Sequence, residues 1–236
     1  MRSQLIVLAL VAAMAFCADP PVFFDARDKW PNCIMPIRDQ GACISTWAQA
    51  FAGMMSDRYC IVKSQKVPLS AQDLLSCTKA TNQCNGMFNY ADINTLITAS
   101  GIATEACIAY KALDAQTCQT KCDDNATDPV RVKCGAIKND TTDDAIKNTI
   151  MNTGPVFCYF TETIDHKDYY DGIYYYANNK KRDAPLGVKV IGWGRENGID
   201  YWIGELSLSA GFGENGYVRY KAKDGFCKFT SYCDPQ

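Results

Sequence analysis

Cysteine and histidine are the residue types whose numbers decide which chemistry is open to this sequence. The chain of 236 residues contains 13 cysteines and a single histidine, His166. One histidine excludes a metal site built on several imidazoles and leaves one side chain for imidazole acid–base work. We therefore expect no metal site and no cofactor, and the cysteines carry the remaining interest as nucleophiles, metal ligands or disulfides.

The first residues are typical of a secretory signal peptide. Arg2 precedes an apolar run, Leu5–Phe16, and small residues follow at Cys17 and Ala18. The run is too short for a membrane span, which needs about 20 residues, and a buried N-terminal helix is the alternative. We predict a signal peptide over 1–18, no propeptide, and a single folded region over 19–236.

Cleavage near Ala18 removes Cys17 and leaves an even number of cysteines. An even, dense set in an exported chain predicts disulfides. Zinc is the alternative, but the spacing contains no Cys-x-x-Cys pair. Two N-glycosylation sequons, Asn125-Ala126-Thr127 and Asn139-Asp140-Thr141, also predict passage through the secretory pathway to an extracellular or lysosome-like location.

The overall composition excludes several classes of protein. Hydrophobic residues make up 47% and charged residues 21%, which is ordinary for a globular domain and excludes wholesale disorder. The formal net charge is −2, so no basic excess favours nucleic acid or an anionic membrane as a partner.

Hydrophobic periodicity predicts helices in the first half of the chain and strands in the second. The predicted helices open at Ser45-Thr46-Trp47 and at Ser70, and cover 91–99 and 143–151. The predicted strands cover 156–160, 187–194, 201–208 and 216–220, with a hairpin turn at Asn197-Gly198. The lack of periodicity over residues 107–133 predicts a loop tied by disulfides. This order indicates an α+β fold with two lobes and a ligand site between them.

Several strings occur together, in the same order, in one known family. They include Phe24-Asp25-Ala26-Arg27, Gln40-Gly41-Ala42-Cys43-Ile44-Ser45-Thr46-Trp47, Ser56-Asp57-Arg58-Tyr59-Cys60, Gln83-Cys84-Asn85-Gly86, Gly192-Trp193-Gly194 and Gly213-Glu214-Asn215-Gly216-Tyr217. Over essentially the whole chain after the first 18 residues, the sequence resembles the papain family of cysteine proteases, closest to the cathepsin B branch.

This resemblance implies a papain-like, disulfide-stapled fold. The helical left lobe would cover roughly 30–125, the antiparallel, barrel-like right lobe roughly 126–220, and the termini would cross between them. In the family, a cysteine at the start of the left-lobe helix is the nucleophile and a right-lobe histidine is its base. An asparagine orients that histidine, and a glutamine donates to the oxyanion.

The sequence departs from the family at each of the three catalytic positions. Counting from the flanking strings places Thr46 at the nucleophile, Leu186 at the histidine and Leu206 at the asparagine. A threonine hydroxyl needs a base, and the resemblance puts His166 well away, as a solvated surface residue. We therefore predict a pseudoprotease without catalytic residues. It would be related to the cysteine-type peptidases by homology only.

Other cleft positions match the family at some residues and differ from it at others. Gln40 is retained, with a structural role favoured over an oxyanion role, and Trp47 is retained beside it. Gly86 is followed by Met87 where the family has a second glycine, so we expect the Met87 side chain to crowd the peptide site. We name Gln40, Trp47, Gly86 and Met87 as the cleft-binding residues.

The resemblance also implies four disulfides: Cys33–Cys60, Cys43–Cys84, Cys77–Cys118 and Cys107–Cys122. The partners of Cys134, Cys158, Cys227 and Cys233 stay open at this point.

Three functions compete. The first is a secreted, inactive relative that binds peptides, protease inhibitors or active relatives, with no nucleic acid or membrane span involved. The second is a hydrolase with residual or altered activity that uses Thr46. The third is a structural component of the extracellular matrix, for which the tyrosine-rich stretch 169–176 would be an adhesive patch, although alternating core tyrosines are the favoured interpretation.

Overall fold

The structure is a computed structural model. It describes residues 19–78, 84–86, 88–113, 117–163, 165–176, 181–227 and 230–236, with the backbone alone at 181–185. The expected signal peptide over 1–18 and Met87 lie outside the described residues.

Five α-helices form within the described residues, and side chains cap most of them. They are α1 (Ala26–Lys29), α2 (Thr46–Lys63), α3 (Ala71–Cys77), α4 (Tyr90–Ala99) and α5 (Asp143–Thr153). Ser70 caps α3 by accepting a hydrogen bond from the Asp73 backbone N–H, and Thr142 caps α5 by accepting from Ala145. The predicted helix starts are therefore confirmed, and Thr142 is the cap of the last one.

The strands lie mostly in the second half of the chain. They are β1 (Phe24–Asp25), β2 (Ile102–Ala103), β3 (Arg131–Val132), β4 (Lys138–Asp140), β5 (Val156–Thr163), β6 (Ile173–Tyr174), β7 (Lys181–Glu196), β8 (Ile199–Glu205), β9 (Tyr217–Lys221) and β10 (Thr230–Tyr232). Asn197 and Gly198 both have positive φ and join β7 to β8, as a tight hairpin requires.

Eight strands form one sheet in the order β4-β10-β5-β7-β8-β9-β6, and β1 pairs with β7 outside this path. The long strand β7 lies at the centre, with β5 on one side and β8 on the other. Most pairs are antiparallel as predicted, but β6 and β9 run parallel. The reason is that the chain crosses back between them through β7 and β8.

Two hydrophobic cores lie on either side of a junction between helices and sheet. The helical core surrounds α2, with Phe51, Met54 and Leu74 fully buried, whereas the second core lies under the sheet and includes Val188 and Tyr220. Strand β7 touches α2 directly. The resulting arrangement is the α+β fold that the sequence predicts.

Six disulfides staple this fold. Four are the pairs that the resemblance implied, Cys33–Cys60, Cys43–Cys84, Cys77–Cys118 and Cys107–Cys122. The other two are Cys134–Cys233 and Cys158–Cys227, and the first of these ties the chain end to the helical core across 99 positions. Each bridge typically contributes about 2–5 kcal/mol to stability.

No helix among the described residues is long and apolar enough to cross a bilayer. In the same part of the chain, no group of three or more histidine, cysteine, aspartate or glutamate residues is arranged to hold a metal ion.

Candidate functional site: the junction between helix α2 and strand β7

Thr46 is the first residue of α2 and lies at the junction between the helical core and the sheet. Its side chain is fully buried. Its Oγ1 accepts a hydrogen bond of 2.9 Å from the backbone N–H of Gly187 on β7. The hydroxyl therefore links the two halves of the molecule directly.

Gly187 allows this contact because it has no side chain. A Cβ at this position would lie 2.4 Å from Trp47 Cα and 2.7 Å from Trp47 N. Real Cβ atoms do not approach backbone that closely, so any larger residue would push β7 away from the start of α2.

Leu186 and Leu206 flank the same junction. Leu186 directly precedes Gly187, pairs with Phe160 on β5 and is 4% exposed, while Leu206 follows β8 and is fully buried. Both side chains belong to the hydrophobic core under the sheet. The described environment at these two positions is aliphatic and aromatic.

Gln40 lies on the loop that leads into α2. Its side-chain Oε1 accepts a hydrogen bond from the backbone N–H of Ser45, and its backbone N–H donates to Ser207 just after β8. Tyr110 Oη donates to the Gln40 carbonyl oxygen and lies 2.6 Å from Ser45 Oγ. Gln40 thus fastens the loop before α2 to the sheet.

The remaining predicted residues are spread around this junction. Trp47 is fully buried and stacks on Phe88 with ring centroids 5.7 Å apart. Gly86 is buried beside the Cys43–Cys84 bridge. Asn125 lies in an exposed turn far along the chain, and Asn139 is exposed on β4.

A buried ionic cluster lies further along the same two strands. Lys189 Nζ on β7 lies 2.7 Å from Asp57 Oδ2 on α2 and 2.8 Å from Glu205 Oε2 on β8. All three side chains are almost completely buried. The backbone N–H of Met35 donates to the other Asp57 oxygen, and the Lys189 stem passes 3.6 Å from where a Cβ of Gly53 would be. We call Asp57, Lys189 and Glu205 the charged triplet.

Burial and charge oppose each other within the charged triplet. Burial raises the pKa of Glu205 to about 7, although the charge of Lys189 acts in the opposite direction. Burial alone would lower the pKa of Lys189, but Asp57 and Glu205 outweigh it and raise that pKa. The charge of Arg38 also favours the ionised form of the carboxyl groups. Tyr217 pairs with Glu205 in the sheet, and burial raises the pKa of Tyr217. One ammonium thus serves two carboxyl groups, and burial raises the pKa of both Asp57 and Glu205.

The expectation of a solvated His166 is wrong. His166 lies in a short 3-10 turn (His166–Asp168) and its side chain is fully buried. Its Nε2 lies 2.7 Å from Tyr220 Oη, and its ring stacks on Tyr220 with an interplanar angle of 8°. Tyr174 and Phe212 complete the surroundings. This burial could not be predicted from the neighbouring residues, because Asp165, Lys167 and Asp168 are polar.

Burial lowers the pKa of His166 to about 4, with Asp165 opposing the shift. Its Nδ1 is buried without a hydrogen-bond partner in the described structure and lies 4.0 Å from Glu162 Oε1. The imidazole is therefore neutral across the physiological pH range and sits in an aromatic core.

The tyrosine-rich stretch is divided between core and surface. Tyr169, Tyr174 and Tyr176 are buried, whereas Tyr170 is 79% exposed and Tyr175 is 37% exposed. The favoured interpretation, alternating core tyrosines, describes this segment better than a continuous adhesive patch.

Sequence reasoning missed the charged triplet and the role of Gly187. One sequence signal for the triplet was present. Lys189 is the single charged residue in the run from Leu186 to Ile191, and the other residues of that run are typical of a buried strand. A lone charge in such a run calls for buried partners of opposite sign.

Comparisons with known proteins match this architecture. A model of the papain family of cysteine proteases matches residues 20–234. "Cathepsin B-like cysteine proteinase 3" of Caenorhabditis elegans is 30% identical, with 88% of this chain and 63% of that protein covered. Cathepsin B of Dictyostelium discoideum is 29% identical over 86% of this chain and 71% of that protein. The chain thus spans slightly less than two thirds of the nematode relative.

A solved structure shows the same fold. Procathepsin B S9 from Trypanosoma congolense superimposes with a TM-score of 0.84 at 29% identity, over 93% of this chain and 79% of that one. The helical core around α2, the sheet and the junction between them are therefore those of a papain-like fold.

Proposed function

Because the chain belongs to the papain family of cysteine proteases, we propose that it is a cathepsin B-like member that binds proteins or peptides without cleaving them. The observation that carries this proposal is the position of Thr46. Its hydroxyl is buried, and its oxygen accepts a hydrogen bond from Gly187 N–H; the neighbouring sequence strings predict this position for the family's nucleophile.

The chemistry available around Thr46 supports the same proposal. A hydroxyl attacks an amide only when a base takes its proton. The residues expected at the base and orienting positions are Leu186 and Leu206, and neither can accept a proton. The single histidine is buried against Tyr220 and stays neutral. Removing a nucleophile or its base typically costs about 10⁶-fold in rate.

The scaffold supports a binding role because it is kept intact. Six disulfides staple the chain, and a hydrophobic core fills each side of the junction. The partners we propose are peptides, protease inhibitors or active relatives of this chain, met in the secretory pathway or outside the cell. The disulfides, the predicted signal peptide and the sequons at Asn125 and Asn139 favour that location.

The first test measures turnover in the purified secreted protein. We expect no cleavage of fluorogenic peptides above the buffer rate and no covalent labelling at residue 46 by a thiol-directed epoxide. Thr46→Ala is the matched control. Turnover that disappears in Thr46→Ala would contradict the proposal and favour a threonine hydrolase.

The second test restores the family's groups with the triple variant Thr46→Cys, Leu186→His, Leu206→Asn. We expect thiol-dependent, epoxide-sensitive cleavage if the cleft still admits a peptide. The variant with Thr46→Cys alone is the control, because a thiol without a base should react slowly. Isolation of the wild-type protein from its native medium, with identification of what accompanies it, would then name the partner.

A further inference from the structure

A groove of about 670 Å³ lies where helix α4 meets strand β4, and it shares no lining residue with the α2–β7 junction. Its volume is within the range of about 300–1,000 Å³ that is typical of ligand sites. Tyr90 and Ala91 line it from α4, and Ala136 and Ile137 line it from the segment before β4. Its floor is therefore largely apolar.

The sequon Asn139-Asp140-Thr141 lies at the rim of this groove. Both Asn139 and Thr141 line it, and both are exposed. Asn139 Oδ1 accepts a hydrogen bond of 2.6 Å from Ser231 Oγ on the neighbouring strand β10, and Ser231 is itself fully buried. Ser231 therefore contacts the oxygen of the carboxamide, and the nitrogen is the atom that takes a glycan.

We propose that Asn139 carries an N-linked glycan whose first sugar residues lie in this groove and cover it. The inference rests on the proposed route through the secretory pathway, and it is independent of whether the protein cleaves peptides. In the modification, Asn139 Nδ2 forms a bond to the anomeric carbon of a lipid-linked oligosaccharide diphosphate. The nitrogen loses one proton, and the lipid diphosphate leaves with the electron pair of the broken C–O bond.

The groove suits the apolar face of a sugar ring. Tyr90 is half-buried, and its ring is fixed edge-on against Phe88 and Phe157, so it offers a rigid aromatic surface. Ile137 is held by its backbone N–H, which donates to Asn94 Oδ1. The covalent link to Asn139 supplies the sugar at high effective concentration, so a weak contact is enough to seat it.

Asn125 provides an internal contrast. It lies in an exposed turn directly after the exposed residues Asp123 and Asp124, and it does not line the neighbouring pocket that Thr127 borders. A glycan there meets charged, hydrated surface, so we expect it to extend into solvent.

The experiment compares removal of the glycan from folded and unfolded protein. The full chain is secreted from eukaryotic cells and treated with peptide N-glycosidase F, which converts each occupied asparagine to aspartate. Mass spectrometry then gives the rate at each site. We expect removal at Asn139 to be about tenfold slower in the folded than in the denatured protein, which corresponds to about 1.4 kcal/mol for opening the contact.

Ala91→Gln tests the groove itself, because a longer side chain would occupy the space next to Tyr90. We expect it to abolish most of the protection at Asn139. Ala99→Gln, exposed near the end of the same helix, should leave the protection unchanged. An unoccupied Asn139 in the secreted protein, or equal rates in folded and denatured protein, would overturn the proposal. Protection that survives Ala91→Gln would overturn it as well.

Discussion

The junction between the two halves of the molecule contains two neighbouring regions of opposite polarity. At one, the Thr46 hydroxyl accepts a hydrogen bond from Gly187 N–H, and Leu186 and Leu206 are buried in the core under the sheet. At the other, a few residues along the same chain segments, Lys189 and Glu205 are paired in the sheet and meet Asp57 from α2. The region of Leu186 and Leu206 is apolar, whereas the region of Lys189, Glu205 and Asp57 is ionic.

This difference shows that the two regions serve separate purposes. A buried ionic cluster is costly to desolvate and becomes strongly destabilising when one partner is removed. One neutral hydrogen bond contributes a smaller amount. We therefore expect stability to depend most on the charged triplet and least on the hydroxyl of Thr46.

Removal of the central cation should give the largest effect. Lys189→Met leaves two carboxyl groups buried together, and we expect a loss of about 3–5 kcal/mol in the free energy of unfolding. The triple variant Lys189→Met, Asp57→Asn, Glu205→Gln should recover much of it, because no unpaired charge remains. Urea unfolding at neutral pH measures both, and a single variant as stable as wild type would contradict the importance of the cluster.

Glu205 and His166 should give opposite dependences of stability on pH, and the raised pKa of Asp57 acts in the same direction as that of Glu205. The pKa of Glu205 is raised from 4.5 to about 7, so its contribution is fully present below the unfolded value and is lost as pH rises through about 7. The pKa of His166 is lowered from 6.5 to about 4, so its contribution is present above 6.5 and is lost as pH falls. Between pH 4.5 and 6.5 the two slopes partly cancel.

Single variants should separate these two slopes. Glu205→Gln should make the protein lose stability more steeply on acidification, by up to roughly 3 kcal/mol from the shift at His166. His166→Phe should leave the slope of Glu205, so that stability falls as pH rises towards 7. Urea midpoints measured across this pH range check both, and a variant whose pH profile matches wild type would contradict the assignment for that residue.

The close approach between Gly187 and Trp47 should give the next largest change in stability. Gly187→Ala would place a Cβ inside contact distance of the Trp47 backbone, and we expect a loss of about 1–3 kcal/mol from overpacking. Gly211→Ala is the control, since its Cβ would meet only Ser209 Oγ at 3.6 Å. Thermal unfolding compares the two variants. Equal midpoints would show that β7 can move away from the start of α2 without loss of stability.

The smallest effect should come from the hydrogen bond of Thr46. Thr46→Ala removes the acceptor for Gly187 N–H, and we expect a loss of about 1 kcal/mol. Thr46→Ser keeps the hydroxyl and should lie close to wild type. A loss in Thr46→Ala as large as that in Lys189→Met would remove the contrast between the two regions.

The elements of the fold could be predicted because their signals are local. Ser70 and Thr142 act through hydrogen bonds to residues three positions away, and the turn at Asn197-Gly198 needs only two residues of positive φ. The charged triplet could not be predicted in the same way. Asp57, Lys189 and Glu205 lie on three separate elements, and only the packing of α2 on β7 brings them together.

The position of the candidate site followed from neighbouring sequence strings, whereas its geometry did not. Counting from Trp47 and from Gly192-Trp193-Gly194 gave the positions of Thr46 and Leu186. The hydrogen bond to Gly187 depends on how closely two distant segments approach, which no string records. The prediction of a solvated His166 was wrong for a similar reason. Its burial depends on Tyr220, which lies 54 residues further along the chain.

The bridge between Cys134 and Cys233 encloses almost the whole sheet within one covalent ring. A single cut anywhere in that ring leaves both pieces attached to each other. In a compartment rich in endoproteases, this protein would therefore survive nicking as one molecule whose non-reduced mass rises only by the water that hydrolysis adds, and its surface would persist after its chain had been broken.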